Sequence, residues 1–509
     1  MMMKKSVARL VIALSLIIGS ASAGHAQAQL EDVTVTEHQI QLNGQQMQYT
    51  ASAGRIPIRA SGSDDPHAQM FFVAYRARTK DANDRTPRPL TVIWNGGPGG
   101  PALSILLGGQ GPKRIEADSR IVDNEDTILA DTDLLFIDAV GSGFSRMTRP
   151  EYAKEFYQTR GDNDAFIECV LAWRRLFKAE DQPLYLGGIS WGGYRVAAMG
   201  NALEKRGVHV SGEIYMSGRT GLSGAGPEQK FAPLQIVNYP RIALFHGKLS
   251  PSLGTDIDAI EQQVKSWALE TYMPALQRLP KLTVPEREAI AAKLALYSGL
   301  PLAKIDRRSL VVTPTEMLTG LLADRKQQLV TNDMRDIAGK GDPALKTIRF
   351  TAAVRYLRDD LAYRTALAYA PSPWEAAEAD AFAPTGSEAP EWDYLSGYYS
   401  HPRPAAETKA ANEKAIAQGY PPGGQDIPLT DEAMHINPKM KLLVVNGRFD
   451  SLRSCASTQE QLKGVEPALR SRITFRCVDG GHGFFLNNPA VRRTFNADIR
   501  ALIADRLAP

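Results

Sequence analysis

Leu184-Tyr185-Leu186-Gly187-Gly188-Ile189-Ser190-Trp191-Gly192-Gly193-Tyr194 is an apolar run that breaks into glycines around one serine and then continues into helix-forming residues. The run predicts a buried strand, Leu184 to Gly188, and the continuation predicts a helix, Tyr194 to Lys205. Between them, Gly188-x-Ser190-x-Gly192 predicts a tight strand-to-helix turn. Flanking glycines let the backbone bend there without a Cβ clash, which leaves the Ser190 hydroxyl exposed above the sheet. In a chain with 42 glycines such a pattern gains weight only from what surrounds it.

A hydroxyl is a weak nucleophile until a base takes its proton, so the reading requires an acid and a histidine downstream. Lys441 to Val445 predicts a buried strand that ends in Asn446-Gly447-Arg448-Phe449-Asp450, and Arg472 to Val478 predicts another that ends in Asp479-Gly480-Gly481-His482-Gly483. Asp450 and His482 thus each follow the carboxyl end of a strand, where sites gather in open parallel sheets. Asp479 competes for the role of acid, but it is too near His482 in sequence to support the ring easily from below. His246 and His435 read as structural. Upstream, Leu90 to Ile93 runs into Trp94-Asn95-Gly96-Gly97-Pro98-Gly99-Gly100-Pro101, a glycine-rich turn suited to holding an oxyanion on backbone N–H groups. The expected donors are the N–H groups of Gly97 and Trp191.

Together with Leu135-Phe136-Ile137-Asp138-Ala139-Val140-Gly141-Ser142-Gly143-Phe144-Ser145, these ordered segments resemble the serine carboxypeptidase family of α/β-hydrolases. Trp94 to Gly99 resembles the family's WNGGPG motif, Leu135 to Ser145 its LFLDQPVGTGFS segment, and Pro183 to Tyr194 its PLYLxGESYGGxY segment. Asn446-Gly447-x-x-Asp450 and Gly481-His482 are similar to its acid and histidine motifs. The resemblance implies an acyl-enzyme hydrolase that needs no cofactor and removes C-terminal residues from peptides, with Ser190, His482 and Asp450 as the catalytic residues.

Two departures bear on specificity. The family holds the substrate's terminal carboxylate with an asparagine, a glycine and two glutamates that share a proton; here the glutamate positions are Ile189 and Gly109. Asn95 and Gly96 remain as substrate-binding donors, and Arg146 or Arg195 are cations available to take over the carboxylate. Family activity is tied to acidic pH by the shared proton, and that dependence should relax here. The missing pair keeps an esterase, amidase or acyltransferase on the same scaffold as the alternative reading. A non-catalytic binding protein is the third, disfavoured because all three triad residue types and the glycine turn are retained.

The expected architecture is α/β: an α/β-hydrolase fold with a mostly parallel central sheet, antiparallel N-terminal strands and an inserted helical cap. Val35 to Ile58 and Met70 to Lys80 predict the antiparallel strands, with Asn43-Gly44 as a hairpin turn. Leu90 to Trp94, Leu134 to Asp138, a helix around Phe166 to Phe177, and Glu213 to Ser217 predict the parallel part with right-handed crossovers. From about 250 to 430 strand signals stop, and helical segments appear at Asp256 to Trp267, Pro285 to Tyr297, Pro314 to Arg325 and Ala406 to Gln418. Pro371 to Pro390 reads as a surface loop and Ala490 to Arg506 as a closing amphipathic helix. The expected division is a leader over 1–28, hydrolase core over 29–250, cap over 251–430 and core again over 431–509.

With 59 Lys and Arg against 56 Asp and Glu, the net charge is +3 and no basic stripe is present, so no nucleic-acid partner is expected. The expected partner is a peptide or a small acyl substrate. Lys4, Lys5 and Arg9 precede an apolar stretch, Leu10 to Ile18, followed by Ala21-Ser22-Ala23 and Ala26-Gln27-Ala28. This reads as a secretory signal peptide cut before Gln29, with Gln27 or Gly24 as alternative starts. The expectation is export to the periplasm or medium without stable membrane association, since the stretch is shorter than the roughly 20 residues that span a bilayer. Of the three cysteines, Cys455 and Cys477 are placed to tie the acid and histidine loops by a disulfide or to remain two buried thiols, and Cys169 reads as core. No C-x-x-C or H-E-x-x-H spacing occurs, so no metal is expected.

Overall fold

Nine strands build the central sheet of the computed structural model: β1 (Thr34–Leu42), β2 (Gln45–Arg59), β3 (Pro66–Ala77), β4 (Leu90–Trp94), β5 (Asp133–Ile137), β6 (Leu184–Ile189), β7 (Val210–Met216), β8 (Lys441–Gly447) and β9 (Ile473–Val478). A tenth, Arg146–Met147, pairs only with β3. The structure describes residues 32–42, 44–59, 64–78, 86–224, 228–339, 350–370, 392–393, 406–407, 409–410, 413, 429–486 and 488–507. The expected leader and the Pro371 to Pro390 loop lie outside these residues.

The strand order is β1-β2-β3-β5-β4-β6-β7-β8-β9. β1, β2 and β3 pair antiparallel, and β3 pairs antiparallel with β5. From β5 onward every neighbour is parallel. Leu42 faces Gln45 across the first hairpin, and Gly44 adopts φ +76°, the conformation a two-residue turn requires there. β4 and β5 lie to one side of β6, and β7 to β9 to the other, so the order reverses between β4 and β6. In open α/β sheets, sites gather beyond the carboxyl ends of the strands at such a reversal.

Alternating side chains send the apolar content of the parallel strands into two layers. Val92, Leu135, Leu184, Leu186 and Val444 face one cluster, while Ile93, Phe136, Tyr185 and Leu443 face the other. Such strands are buried on both sides and read as continuous apolar runs, which is why they are legible. The first layer is closed by α1 (Thr159–Leu176) and α2 (Trp191–Lys205), the second by α8 (Pro489–Ile503), whose Phe495, Ile499 and Leu502 face the sheet.

The inserted region divides. α3 (Ile257–Trp267), α4 (Val284–Ser298) and α5 (Pro314–Gly320) gather around a third apolar cluster. Thr283 and Thr313 cap α4 and α5 through reciprocal bonds with Glu286 and Glu316, and a proline follows each cap. This cluster begins before the expected boundary, because Leu234, Ile236, Tyr239 and Ile242 already belong to it. Ala353, Tyr356, Leu357 and Tyr363 instead pack on the antiparallel flank, where the Tyr356 and Tyr75 hydroxyls are 2.9 Å apart. α6 (Leu429–Ile436) returns to α2: Leu429, Ala433 and Met434 join the first core layer. The described residues between 406 and 413 are helical, as expected there. α7 (Cys455–Lys463) leaves the acid loop, and a Cys455–Cys477 disulfide joins its first turn to β9 with Cα atoms 5.8 Å apart. Cys169 is a buried free thiol. No helix among the described residues is long and apolar enough to cross a membrane.

A carboxyl is buried beside the sheet in the first layer. Glu213, at the centre of β7, accepts the Tyr215 hydroxyl at 2.6 Å, and Gly200 of α2 leaves the space that its carboxyl fills. Burial pushes this carboxyl up to about 8. A folded-state value raised above the ordinary one favours the neutral form, so its stabilising contribution is complete at low pH and is lost as pH rises through the window from about 4.5 to 8. Glu213→Gln should therefore match the native protein in chemical denaturation near pH 4. Above that it should become relatively more stable, by up to about 1.4 kcal/mol per pH unit, until the window closes. A stability difference that does not change with pH would show that the carboxyl is ionised throughout.

Candidate active site

At the reversal of strand order, the backbone of Ser190 leaves β6 with φ 59° and ψ −126°, and α2 begins at the next residue. Holding a non-glycine residue there costs about 1–3 kcal/mol unless the surroundings dictate it. They do so through glycines. A Cβ on Gly188 would collide with the Gly192 carbonyl, and one on Gly192 would stand 2.8 Å from the Asn95 oxygen. The Ser190 N–H donates to Met216 O at 2.9 Å and its carbonyl accepts from Gly193 N–H at 3.0 Å, fixing the turn to β7 and to α2. Ser190 is partly exposed, whereas the strand leading to it is buried.

The glycine turn after β4 lies against this elbow. A Cβ on Gly96 would come 2.6 Å from Ile189 O, 2.7 Å from Ser190 Cβ and 2.8 Å from Trp191 N. Gly97 follows with φ +113°, and Gly100 N–H closes the turn on Gly96 O at 2.7 Å. Gly96, the residue before Gly97, is thereby packed against Ser190 and the first residue of α2, Trp191. Asn95 and Gly96, expected as donors to a carboxylate, spend their donors internally. The Asn95 amide donates to Pro101 O at 3.0 Å and Ser104 Oγ at 3.2 Å, and Gly96 N–H donates to Asn95 Oδ1 at 2.8 Å.

Asp450 and His482 are joined directly, with Asp450 Oδ2 and His482 Nδ1 2.8 Å apart. Asp450 is fully buried, and its other oxygen accepts Leu452 N–H at 2.8 Å, so both lone-pair directions that matter are occupied. On the far side of the ring, Nε2 is buried and has no partner among the described residues. It makes no hydrogen bond to Ser190 in this structure; such bonds are often long before substrate arrives. Asp479 stays away from the ring: its largely exposed carboxylate pairs with Arg448 at 3.1 Å. His246 Nε2 meets Met334 O at 2.7 Å, and His435 is exposed beside Glu466. Both rings are thus engaged with other protein groups.

The two cations considered for a substrate carboxylate are also accounted for. Arg146 is buried and donates to the carbonyls of Gly143, Ser145 and Ala368. Arg195 is fully buried against Asp162 and does not face a substrate. At the two positions where the family carries glutamates, Ile189 is buried, and a Cβ on Gly109 would stand 2.8 Å from the Phe485 ring. That site has no room for a carboxyl.

What the sequence did not signal is the support of the dyad by the insertion. His482 N–H donates to Asn332 O at 2.5 Å, Ser451 Oγ to Thr331 O at 2.7 Å, and Met334 N–H to Phe449 O at 3.0 Å. The Arg335 guanidinium lies 4.7 Å from the centre of the Phe449 ring. Gln235 adds a bond to the Asp450 carbonyl at 2.9 Å. One short segment, Thr331 to Arg335, thus grips the acid loop and the histidine loop together. Asp138, of the Leu135 to Ser145 segment, was also missed as a support. It accepts Ala102 N–H at 2.7 Å at the end of the glycine turn, and burial pushes its carboxyl up to about 7. No cluster of ligands for a metal occurs among the described residues.

Residues 45–219 match the sequence model of the family described as serine carboxypeptidase. Among curated proteins, the chain is 28% identical over 174 residues to the pheromone-processing carboxypeptidase KEX1 of Saccharomyces cerevisiae, covering 32% of this chain and 24% of that protein. It is 32% identical over 170 residues to the Aspergillus niger protein of the same name, covering 32% of this chain and 26% of that one. The chain therefore spans about a quarter of the length of the curated relatives it matches. Among solved structures, a prohormone-processing carboxypeptidase from Saccharomyces cerevisiae aligns over 90% of this chain and 91% of its own, at 14% identity and TM-score 0.48. From β2 through the end of β7, a stretch that includes the glycine turn and the Ser190 elbow, the chain is similar to the serine carboxypeptidase family, and this stretch lies on a mostly parallel sheet flanked by helices.

Proposed function

We propose that the chain is an exported serine hydrolase that acts as a serine-type carboxypeptidase on peptides. The observation that carries this reading is the buried Asp450–His482 pair, whose free ring nitrogen Nε2 lies at the same edge of the sheet as the strained Ser190 elbow. Ser190 Oγ attacks the scissile carbonyl while His482 Nε2 takes its proton. Asp450 holds the Nδ1–H and stabilises the imidazolium that forms. The N–H groups of Gly97 and Trp191 receive the oxyanion. His482 then returns the proton to the leaving amine, and water activated by the same nitrogen releases the acyl group. The choice of a C-terminal peptide bond rests on the family resemblance, and export rests on the leader-like residues Lys4 to Ile18.

A second reading, an esterase, amidase or acyltransferase, is favoured by one specific observation. The glutamates are missing at Ile189 and Gly109, and the two cations considered in their place, Arg146 and Arg195, are both engaged inside the fold. The two readings separate on a panel of an N-blocked dipeptide, its C-terminal amide and its methyl ester. The carboxypeptidase reading predicts turnover of the free acid; turnover of ester and amide alone would leave the second. Because no shared carboxyl proton is needed, activity on the free acid should be at least as high at pH 8 as at pH 5, where a histidine base is more protonated. A sharp preference for pH 5 would mean that other carboxyls have replaced the pair.

Within the dyad and elbow, Ser190→Ala should reduce kcat by several orders of magnitude, and Asp450→Asn by roughly 10,000-fold while preserving the fold. Asp479→Asn should leave turnover within about threefold of native, as expected of an exposed carboxylate paired with Arg448 rather than with the His482 ring. Severe loss in Asp479→Asn with none in Asp450→Asn would reverse the assignment of the acid.

A further inference from the structure

The two expected oxyanion donors belong to different elements, Gly97 to the turn after β4 and Trp191 to α2. Their separation must hold to within a fraction of an ångström for both to reach one oxygen. The contact between the elements is backbone against backbone across Gly96 and Gly192, which permits close approach but does not by itself fix it.

We propose that Arg195 is the positioning residue of this pocket: its buried guanidinium ties the glycine turn to the nucleophile helix and thereby sets Gly97 N–H against Trp191 N–H. Arg195 stands one helical turn beyond Trp191. Its Nη1 donates to Asn95 O and its Nη2 to Pro98 O, each at 3.0 Å. Those two carbonyls bracket the Gly96–Gly97 peptide that carries the expected donor. The guanidinium itself is fixed from behind. Nε and Nη2 donate to Asp162 Oδ2 of α1 at 2.9 and 2.7 Å, and the Phe166 ring lies 4.0 Å beneath the guanidinium carbon. Trp94 Nε1 adds a second tie, to Gly192 O at 2.9 Å.

The chemistry of the residue fits this task. Arginine presents donors in one rigid plane, and here they bond two carbonyls and a carboxylate at once. A lysine ammonium at the end of a flexible stem offers no such fork. Stability alone gives little reason for the pair, because a buried ion pair is often replaced by apolar residues at no loss. The residue was one of the two cations considered for a substrate carboxylate; its donors are instead taken by Asp162 and by carbonyls of the glycine turn.

The assignment rests on the reading of Ser190 as nucleophile with Gly97 and Trp191 as donors, but not on the substrate being a peptide. Arg195→Lys is therefore compared with the native protein on both the N-blocked dipeptide and a p-nitrophenyl ester. Affinity for a phenylboronic acid, which bonds to the serine and places an anionic oxygen in the pocket, is measured alongside. Expected is a fall in kcat of about 10- to 100-fold, below the roughly 100- to 1,000-fold that removal of a whole oxyanion donor causes. KM should stay within about threefold, and boronate affinity should fall in proportion to kcat.

A folded Arg195→Lys variant that keeps kcat and boronate affinity within about threefold of native would overturn the assignment. If that variant does not fold, Phe166→Leu withdraws the ring beneath the guanidinium while leaving the ion pair. It should lower kcat and boronate affinity together at unchanged KM, and native values of both would equally overturn the proposal. A native protein that cleaves the ester and not the dipeptide removes the carboxypeptidase reading alone. A native protein that turns over neither and binds no boronate removes the nucleophile reading, and this assignment with it.

Discussion

The structure depends on a place where three stretches of backbone meet without side chains between them. Ser190 can stand at φ 59° because Gly188 and Gly192 let the elbow close on itself, and Gly96 lets the turn after β4 press against it. Any Cβ at these three glycines would enter occupied space. The contact holds the serine in a strained conformation and packs the glycine turn against the first residue of α2. The sheet supplies the rest of the geometry, since β4 and β6 are adjacent parallel strands whose carboxyl ends open at the reversal of strand order.

A second constraint acts on the base. Burying Asp450 is costly unless its oxygens are bonded. His482 Nδ1 and Leu452 N–H meet that need. The ring is in turn held by the insertion, through Asn332 O on its backbone N–H. The helical region therefore braces the loops that carry Asp450 and His482. Thr331 and Met334 bind the acid loop on the same segment, so the acid and the base move together with it. The Cys455–Cys477 disulfide adds a covalent tie between the helix that follows the acid loop and the strand that precedes the histidine loop.

Features encoded locally were legible in the sequence. The buried parallel strands are short apolar runs, and the elbow is a glycine pattern whose cause lies within five residues. Asp450 and His482 could be placed because each follows such a strand. What failed to show is what depends on distant backbone. Asn332, Thr331 and Met334 act through carbonyl or amide groups that any residue would supply, so no side-chain signal marks them. Arg195 and Arg146 looked available because a sequence does not show burial. The insertion was read as one cap, yet its parts follow separate apolar clusters, which helical periodicity cannot distinguish. The cysteines were spaced for a bridge, and only the geometry decided it.

The claim at the centre of this account is that Ser190 is the residue that forms a covalent bond with the substrate. Treatment of the folded protein with a fluorophosphonate, followed by proteolysis and mass spectrometry, locates that bond directly. The account predicts a single adduct, on the peptide containing Ser190, formed at a rate that falls when His482 is protonated. An adduct on another serine, such as Ser142 or Ser145 in the second glycine-rich segment, or no adduct on a folded protein, would contradict it.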